Sequence, residues 1–341
     1  MISSKHYFDW AATAPNDEEI LTKALKYSMD HWGNPSSIHK AGTDAKAALE
    51  NARKRAAQAL GVNAENIFFT SGGTEGDHLA LLSVLSRPQK GSVVLSSIEH
   101  PALREMAKSM QNCGWKVINV NPDKNGIVSA QSISDALQED TAFVSVMAVN
   151  NETGAIQPIY EIAKIIEEKT KGKRKPFFHV DCVQAAGKIP LNLKASGIDS
   201  ASFSAHKIGG LKGVGGLIKR KSLVLPAYIY GGGQEAGKRS GTENVFGIKH
   251  FEFAANEKFA TIKEDFARIK TYRELLWELL DKEVFIRLSS ETATPYILSV
   301  SALGLRGEIL LHMANDKGLI VGTGSACSSN AKTRYSKVVL A

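Results

Sequence analysis

The stretch Ser202-Phe203-Ser204-Ala205-His206-Lys207 decides the predicted fold, because a short apolar strand there leads directly into a lysine. Glycines follow at positions 209, 210, 213, 215 and 216. A lysine in a glycine-rich loop just past a strand can project into a cleft at the strand's carboxyl end. Desolvation there lowers the pKa of an amine, and the neutral amine can form a Schiff base. Taken alone, Lys207 also fits an ordinary surface loop.

Strand and helix patterns alternate on both sides of this stretch. Predicted strands cover residues 67–70, 92–96, 115–120, 142–149, 177–180, 201–204 and 216–218. Predicted helices cover residues 44–60, 77–85, 102–110 and 159–168. Continuous apolar strands separated by helices are typical of α/β proteins, with a mostly parallel central sheet covered by helices on both faces.

The pattern changes after about residue 250. A long amphipathic helix is predicted over residues 251–280, followed by a strand at 296–300, a helix at 307–317 and a short strand at 319–321. A chain of 341 residues is long enough for two domains. We expect a large domain over residues 15–250, and a smaller α+β domain formed by residues 1–14 together with 251–341.

Composition excludes several classes of protein. With 43% hydrophobic and 23% charged residues, the chain is neither disordered nor fibrous. No apolar run approaches the roughly 20 residues of a membrane span, and the first residues lack the apolar core of a secretory signal. Three scattered cysteines indicate neither a disulfide framework nor a zinc site, so we expect no metal and a cytoplasmic location.

The net charge of +7 is a weak indication of an anionic partner. The densest basic run lies at residues 169–175, between a predicted helix and a predicted strand. A solvated connection is the simpler interpretation of this run, and an RNA or acidic-partner patch is the alternative. We expect no direct nucleic-acid binding.

A second segment strengthens the prediction for Lys207. The apolar strand Phe177-Phe178-His179-Val180-Asp181 ends in an aspartate, and Gln184 follows three residues later. Pyridoxal phosphate (PLP) needs an acidic partner at its pyridine nitrogen, so that the ring can accept electrons. One strand–loop–strand unit would bring Asp181 and Lys207 together. The alternative for Asp181 is a helix N-cap after the strand.

A third segment could hold a phosphate group. Thr70-Ser71-Gly72-Gly73-Thr74-Glu75-Gly76 joins a predicted strand to a predicted helix. Small residues expose backbone N–H groups at such a turn, and the N-terminus of a helix favours an anion. Glycine-rich turns between a strand and a helix are common, so this segment alone is a weak signal.

Together, these segments identify a resemblance to the class V, fold-type I PLP enzymes, and within them to the NifS/IscS-like cysteine desulfurases. The match extends in family order over nearly the whole chain. Its motifs are Tyr7-Phe8-Asp9-Trp10-Ala11-Ala12-Thr13, Asn34-Pro35-Ser36-Ser37-Ile38-His39, residues 70–75, Glu99-His100-Pro101, Asn150-Asn151-Glu152-Thr153-Gly154, His179-Val180-Asp181, residues 202–207, Arg239-Ser240-Gly241-Thr242 and Gly324-Ser325-Ala326-Cys327.

The resemblance implies a cofactor role for each matching residue. Lys207 would form the Schiff base with PLP and move protons, Asp181 would pair with the pyridine nitrogen, and His100 would stack on the ring. The phenolic oxygen and the phosphate would be held by other side chains. These are Asn151 and Gln184 for the phenolic oxygen, and Gly73, Thr74, Ser204, His206 and Thr242 for the phosphate. Because Thr242 would reach the phosphate of a partner subunit, the resemblance implies a homodimer.

Cys327 decides the predicted reaction. It lies in a stretch of small polar residues, 322–330, where an exposed thiolate could accept sulfur. The resemblance implies that L-cysteine is converted to L-alanine, with a persulfide on Cys327. The sulfur would then pass to an acceptor protein, either an Fe–S scaffold or a tRNA-thiolation enzyme. Cys182 follows Asp181 directly, and strand alternation predicts a structural role for it.

The sequence departs from the family pattern near its N-terminus, in the phosphate motif and after Cys327. Trp10 stands where the family usually has Asn, Ala14 stands where it often has Thr, and the phosphate motif carries small variants at Gly73 and Gly76-Asp77. Family members usually continue well beyond the position of Cys327, through a strand with an arginine that binds the substrate carboxylate. The sequence given has 14 residues after Cys327, so we expect either a truncated sequence or a reduced small domain.

Without that arginine, the candidates for binding the substrate carboxylate are Asn34 and Arg239. Three other functions stay open at this point. The chain could catalyse another class V reaction, such as transamination or selenocysteine lysis, although a transaminase needs no thiol. It could be a catalytically impaired scaffold with the same fold. A nucleic-acid-binding function rests only on the net charge and ranks last.

Overall fold

The computed structural model describes residues 6–194, 196–221, 223, 225–324 and 338. Among these residues, one sheet of seven strands dominates, in the order β1-β7-β6-β5-β4-β2-β3. Its strands are β1 (Ile67–Thr70), β2 (Ser92–Ser96), β3 (Lys116–Val120), β4 (Thr141–Ser145), β5 (Phe177–Asp181), β6 (Ser200–Ser204) and β7 (Gly215–Lys219). Only β7 pairs antiparallel, with both β6 and β1. The predicted α/β class with a mostly parallel sheet is therefore confirmed.

Helices pack around the sheet. They are α1 (Glu18–Asp30), α2 (Lys40–Ala59), α3 (Gly73–Leu82), α4 (Pro101–Asn112), α5 (Ala130–Ala136), α6 (Ile159–Lys169), α7 (Val245–Ala260), α8 (Ile262–Leu279) and α9 (Gly307–Asp316). Helix α2 begins four residues before its predicted start, because the side chain of His39 accepts a hydrogen bond from Gly42 N and caps the helix. Helix α3 likewise begins earlier, at Gly73 inside the glycine-rich turn.

Three predictions for the C-terminal third were wrong in detail. The long helix predicted over residues 251–280 is two helices, α7 and α8, which are separated at Thr261. The strand predicted at 296–300 instead begins at Val300. It forms β9 (Val300–Ala302), which pairs with a strand that we did not predict, β8 (Phe285–Arg287). Residues 319–321 form no strand, and Ile320 makes only an isolated bridge to Tyr7.

The core lies on both faces of the sheet. Strands β1, β2, β4, β5 and β6 are buried at every position, so most of their residues are apolar or small; His179 and Asp181 of β5 are the buried exceptions. Phe203 of β6 stacks on Phe251 of α7, with 4.9 Å between ring centroids. Each such fully buried side chain contributes about 1.5–3 kcal/mol to folding. The two-domain division stays a prediction, and this packing associates α7 with the sheet rather than with the predicted small domain.

The basic run at residues 169–175 is engaged mostly within the chain. The amine of Lys173 lies 3.1 Å from Glu139, and that of Lys175 lies 3.1 Å from Asp199. Lys169 donates to the backbone oxygen of Ser134. These contacts favour the interpretation of a solvated connection. In the described part of the chain, no helix is long and apolar enough to cross a membrane.

Candidate active site

Lys207 ends a short 3-10 turn (Ala205–Lys207) that follows β6. Its amine donates hydrogen bonds of 2.8 Å to the backbone oxygens of Ala11 and Ala12. The preceding residue is held by the same N-terminal segment, because Ala14 N donates to the backbone oxygen of His206 at 2.8 Å. The N-terminal segment, residues 6–14, therefore closes one side of the lysine site.

Asp181 ends the neighbouring strand β5, in register with Ser202 of β6. Its carboxylate is buried and accepts a 2.8 Å hydrogen bond from Val183 N. Burial raises the pKa of Asp181 to about 7, with a further increase from Asp77, while the nearby charge of Lys207 opposes the shift. Residues 183–188 form turns, so Asp181 is not a helix N-cap. As predicted, one strand–loop–strand unit brings Asp181 near Lys207.

His100 lies at the N-terminus of α4, near enough to Lys207 to feel its charge. Its Nδ1 accepts a hydrogen bond of 3.2 Å from Ala102 N, and Pro101 begins the helix. Burial lowers the pKa of His100 to about 4, and the charges of Lys207 and Arg104 lower it further. The imidazole is therefore neutral at pH 7, as a ring that stacks on an aromatic cofactor would be.

The glycine-rich turn lies beside the ends of β5 and β6. A Cβ on Gly73 would lie 2.5 Å from Val183 Cγ2, so only glycine allows this approach. A Cβ on Gly72 would lie 3.9 Å from Ser204 Oγ, which places the Ser204 hydroxyl against the turn. No side chain caps α3, and the first N–H groups of a helix have no intrahelical acceptor. Thr74 is exposed in this first turn.

Gln184 is buried and engaged at both ends of its amide. Its Nε2 donates to the backbone oxygen of Ala11 at 2.8 Å, and its Oε1 accepts from Lys188 Nζ at 2.7 Å. His206 lies one residue before Lys207, with its Nδ1 3.1 Å from Thr13 Oγ1. Burial lowers the pKa of His206 to about 4, helped by the charge of Lys207.

Two residues, Arg239 and Asn34, were predicted to bind the substrate carboxylate. Arg239 Nε donates to Glu75 Oε1 at 2.8 Å, and Arg239 lines one cavity together with Thr242 and Ser71. Asn34 is exposed, and its Oδ1 accepts a 2.9 Å hydrogen bond from Ser36 N. Both assignments stay predictions, but Arg239 would have to leave Glu75 before it could bind a carboxylate.

Asn151 lies half-buried in a turn. The next residue, Glu152, lies close to Gly324, the last residue described before Cys327. A Cβ on Gly324 would lie 3.5 Å from Glu152 Oε2. A Cβ on Gly322 would lie 2.6 Å from a carboxylate oxygen of Asp9, whose pKa responds to the charge of Lys207. Cys327 itself lies outside the described residues; the last residues described before it, 322–324, lie beside Asp9 and Glu152.

Cys182 has the structural role that was predicted for it. It is 1% exposed within the main hydrophobic core, and burial raises the pKa of its thiol well above the usual value. A buried neutral thiol is a poor nucleophile.

Sequence reasoning missed the polar network beneath the site. Asp77 Oδ1 accepts a 2.5 Å hydrogen bond from Ser202 Oγ and lies 3.1 Å from His179 Nε2. Glu99 accepts from Ser96 Oγ and Met147 N, each at 2.6 Å. Burial raises the pKa of Asp77 to about 7 and that of Glu99 to about 8. Charged residues inside otherwise apolar or small segments were the signal available in the sequence.

The described residues fit PLP. The buried Asp181 carboxylate has one backbone donor and no ion pair within 4 Å among the described residues, so a protonated pyridine nitrogen would supply the missing counter-charge. The uncapped start of α3 and the Ser204 hydroxyl suit a phosphate. Lys207 has the amine that the aldehyde requires. In the described residues, no group of three or more His, Cys, Asp or Glu could hold a metal ion.

Comparison with known proteins agrees with this geometry. The family model for aminotransferase class-V matches residues 6–339. A cysteine desulfurase IscS from Methanosarcina thermophila is 37% identical over 95% of this chain and 80% of the relative. A putative cysteine desulfurase IscS 1 from Bacillus subtilis is 36% identical over 95% of this chain and 86% of the relative.

Two solved structures show the same fold. A NifS-like protein superposes with a TM-score of 0.89 at 36% identity, covering 93% of this chain and 87% of the other. A protein described as SspA in complex with cysteine superposes with a TM-score of 0.85 at 29% identity, covering 98% of this chain and 93% of the other.

Proposed function

The chain belongs to the aminotransferase class V family, and we propose that it acts as a PLP-dependent cysteine desulfurase. The observation that carries this proposal is that Asp181 and Lys207 lie at the carboxyl ends of the adjacent strands β5 and β6, near enough to His100 for the charge of Lys207 to lower its pKa. The relatives named cysteine desulfurase match most of this chain, and one similar protein was solved with cysteine bound. L-Cysteine is therefore the substrate that we propose.

The cofactor supplies an electron sink for the amino-acid substrate when it is bound. This chain's residues would hold it. Asp181 would neutralise positive charge at the ring nitrogen, the neutral imidazole of His100 would cover the ring, and the turn before α3 would bind the phosphate. The amine of Lys207 would move protons between the substrate carbon atoms.

The sulfur step is assigned to Cys327. Its thiolate attacks the sulfur of the bound cysteine, so that the Cβ–S bond breaks and an S–S bond forms. The electron pair of the broken bond stays on Cβ, which takes up a proton. One cysteine and one enzyme thiol thus give one alanine and one enzyme persulfide, with no external oxidant. Residues 322–324, the last described before Cys327, lie beside Asp9 and Glu152, which supports this assignment.

The wider biological role follows from this chemistry. An enzyme-bound persulfide must be removed by a thiol-bearing acceptor, and we propose an Fe–S scaffold or a tRNA-thiolation enzyme in a cytoplasmic setting. A homodimer is also proposed, with Thr242 serving the partner's phosphate site. Thr242 is exposed on the surface, as that role requires.

The direct test loads the protein with PLP, adds L-cysteine, and measures alanine and protein-bound persulfide. We expect the two products in equal amounts during a single turnover. Cys327→Ala should form no persulfide, and Cys182→Ala, its buried counterpart, should behave as the wild type. A loaded protein that produces no alanine would contradict the function and indicate a scaffold. Persulfide on the Cys327→Ala variant would contradict only the assigned nucleophile.

A further inference from the structure

Lys188 is a buried lysine that the proposed reaction does not use. It is 8% exposed, and lysines are almost never this buried without a charged partner. In the described structure, no carboxylate lies within ion-pair distance of its amine. Its hydrogen-bond partner is instead a neutral amide, Gln184 Oε1, at 2.7 Å. Such a costly arrangement calls for a physical reason.

The other end of the Gln184 amide leads to the cofactor lysine. Gln184 Nε2 donates to the backbone oxygen of Ala11 at 2.8 Å. The same oxygen accepts the amine of Lys207 at 2.8 Å. Lys188, Gln184, Ala11 and Lys207 thus form one continuous chain of hydrogen bonds.

The groups on either side of the Gln184 amide determine which way the amide is oriented. A lysine ammonium can only donate, so the atom of Gln184 that faces Lys188 must be the oxygen. The NH₂ group must then face Ala11 and the site. Without Lys188 the amide could turn over, because its two ends are nearly the same size and shape. An inverted amide would present an oxygen to the Ala11 oxygen, and two acceptors repel each other.

We propose that Lys188 is a positioning residue, which fixes the Gln184 amide so that its NH₂ group faces the site and holds the Ala11 carbonyl against Lys207. The identity of the ligand that benefits, a phenolic aldehyde phosphate, rests on the proposed function. Burial lowers the pKa of Lys188 to about 7, with a smaller contribution from Lys207. Below pH 7 the amine is therefore an ammonium that can only donate, and the orientation of the Gln184 amide is fixed most firmly there.

The test measures PLP uptake by the apoprotein, followed by the visible absorbance of the bound cofactor. Lys188→Met keeps the length and apolar stem of the side chain and removes the donor. We expect it to weaken PLP binding about 10-fold, the effect of one hydrogen bond to a positioned polar group. In a Gln184→Leu background the same substitution should change PLP binding less than about twofold, because Lys188 acts through Gln184.

Two further variants separate positioning from folding. Lys188→Gln keeps an N–H donor and should recover part of the lost affinity even if Lys188→Met is unstable. Lys249→Met removes another buried lysine, 5% exposed and ion-paired with Glu252, and should leave PLP binding unchanged. Equal losses with and without Gln184, or no recovery in Lys188→Gln, would overturn the proposal. Because no cysteine is added, a protein that binds PLP normally but lacks desulfurase activity would refute only the proposed function.

Discussion

Buried charges are treated differently in two regions of this molecule. Away from the site they are paired: Arg53 makes two hydrogen bonds to Glu235, at 2.6 and 2.8 Å, and Glu235 Oε2 also accepts from Phe69 N. At the site, Asp181 is equally buried but has one backbone donor. Glu99 is satisfied by a hydroxyl and a backbone N–H group, without a cation.

The difference shows which charges the folded chain satisfies and which it leaves for a ligand. Glu235 and Ala236 have φ angles of 48° and 54°, a left-handed conformation that usually requires glycine. The Arg53–Glu235 pair holds the backbone in this conformation. That pair stabilises the loop which carries Arg239 and Thr242. The carboxyls at the site instead have pKa values raised to about 7 or 8, since burial opposes their charge. A protonated pyridine ring would restore the charge of the nearest one.

The largest effect is expected from Asp181→Ala, which removes the carboxylate that awaits a ligand. We expect kcat/KM for cysteine to fall about 10³-fold, as when a preorganised electrostatic group is lost. The free energy of unfolding of the apoprotein should change by no more than about 1 kcal/mol, because one hydrogen bond is lost. Steady-state alanine production and chemical denaturation give the two numbers.

Asp199→Ala is the matched control for that prediction. Asp199 is just as buried, precedes the neighbouring strand and is paired with Lys175 and Arg220. It should show the reverse pattern, with a destabilised fold and a PLP affinity close to that of the wild type. If both variants lose stability equally, the contrast between the two regions fails.

Glu235→Ala tests the paired region. Removing the carboxylate leaves Arg53 buried with an uncompensated charge, and breaking such a pair costs about 3–5 kcal/mol of unfolding free energy. Urea denaturation of the apoprotein measures this loss. Glu50→Ala removes the other, half-exposed partner of Arg53 and should cost less than about 1 kcal/mol. A small effect in Glu235→Ala would mean that the pair does not anchor the loop.

Asp77→Asn tests the unpaired carboxyls through pH. The pKa of Asp77 is raised to about 7, so the folded protein holds a proton that the unfolded chain loses near pH 4. Linkage then requires the wild type to lose stability relative to the Asn variant as pH rises from about 4 to 7. We expect a relative change of about 1–3 kcal/mol over this range and little above pH 7. Thermal unfolding at pH 5, 6, 7 and 8 measures it, and a difference independent of pH would contradict the shifted pKa.

Much of this arrangement could be predicted from local sequence. The turn before α3 is recognisable from its glycines. The strand ends are recognisable from the ionisable residues Asp181 and Lys207, which follow apolar or small residues. The break between α7 and α8 could not be predicted, because the apolar pattern continues across Thr261, where the backbone leaves the helical conformation. Strand β8 is three residues long and half-exposed, so its burial pattern carries little information.

The Lys188 contact was hidden for a different reason. A lysine in the segment Ala186-Gly187-Lys188-Ile189 gives no indication from sequence that its amine turns inward, since most lysines beside glycine face solvent. The partners of Asp77 are equally non-local, because His179 and Ser202 lie more than 100 residues further along the chain. Hydrogen bonds of this kind depend on the completed sheet.

His250→Leu gives the smallest expected effect. It tests whether an unsatisfied buried polar group that lies away from the ligand site only lowers stability. His250 lies in the paired region beside Lys249, is 0% exposed, and both ring nitrogens lack a hydrogen-bond partner among the described residues. Burial lowers its pKa, so the ring is neutral at pH 7.

Unlike Asp181, His250 faces no predicted ligand site, so its unsatisfied nitrogens lower the stability of the fold and no ligand compensates for this loss. An apolar side chain of similar volume should therefore raise the free energy of unfolding by about 1 kcal/mol and leave PLP affinity unchanged. Denaturant unfolding and PLP titration check both statements, and a variant that is less stable than the wild type would show that the ring nitrogens have a partner after all.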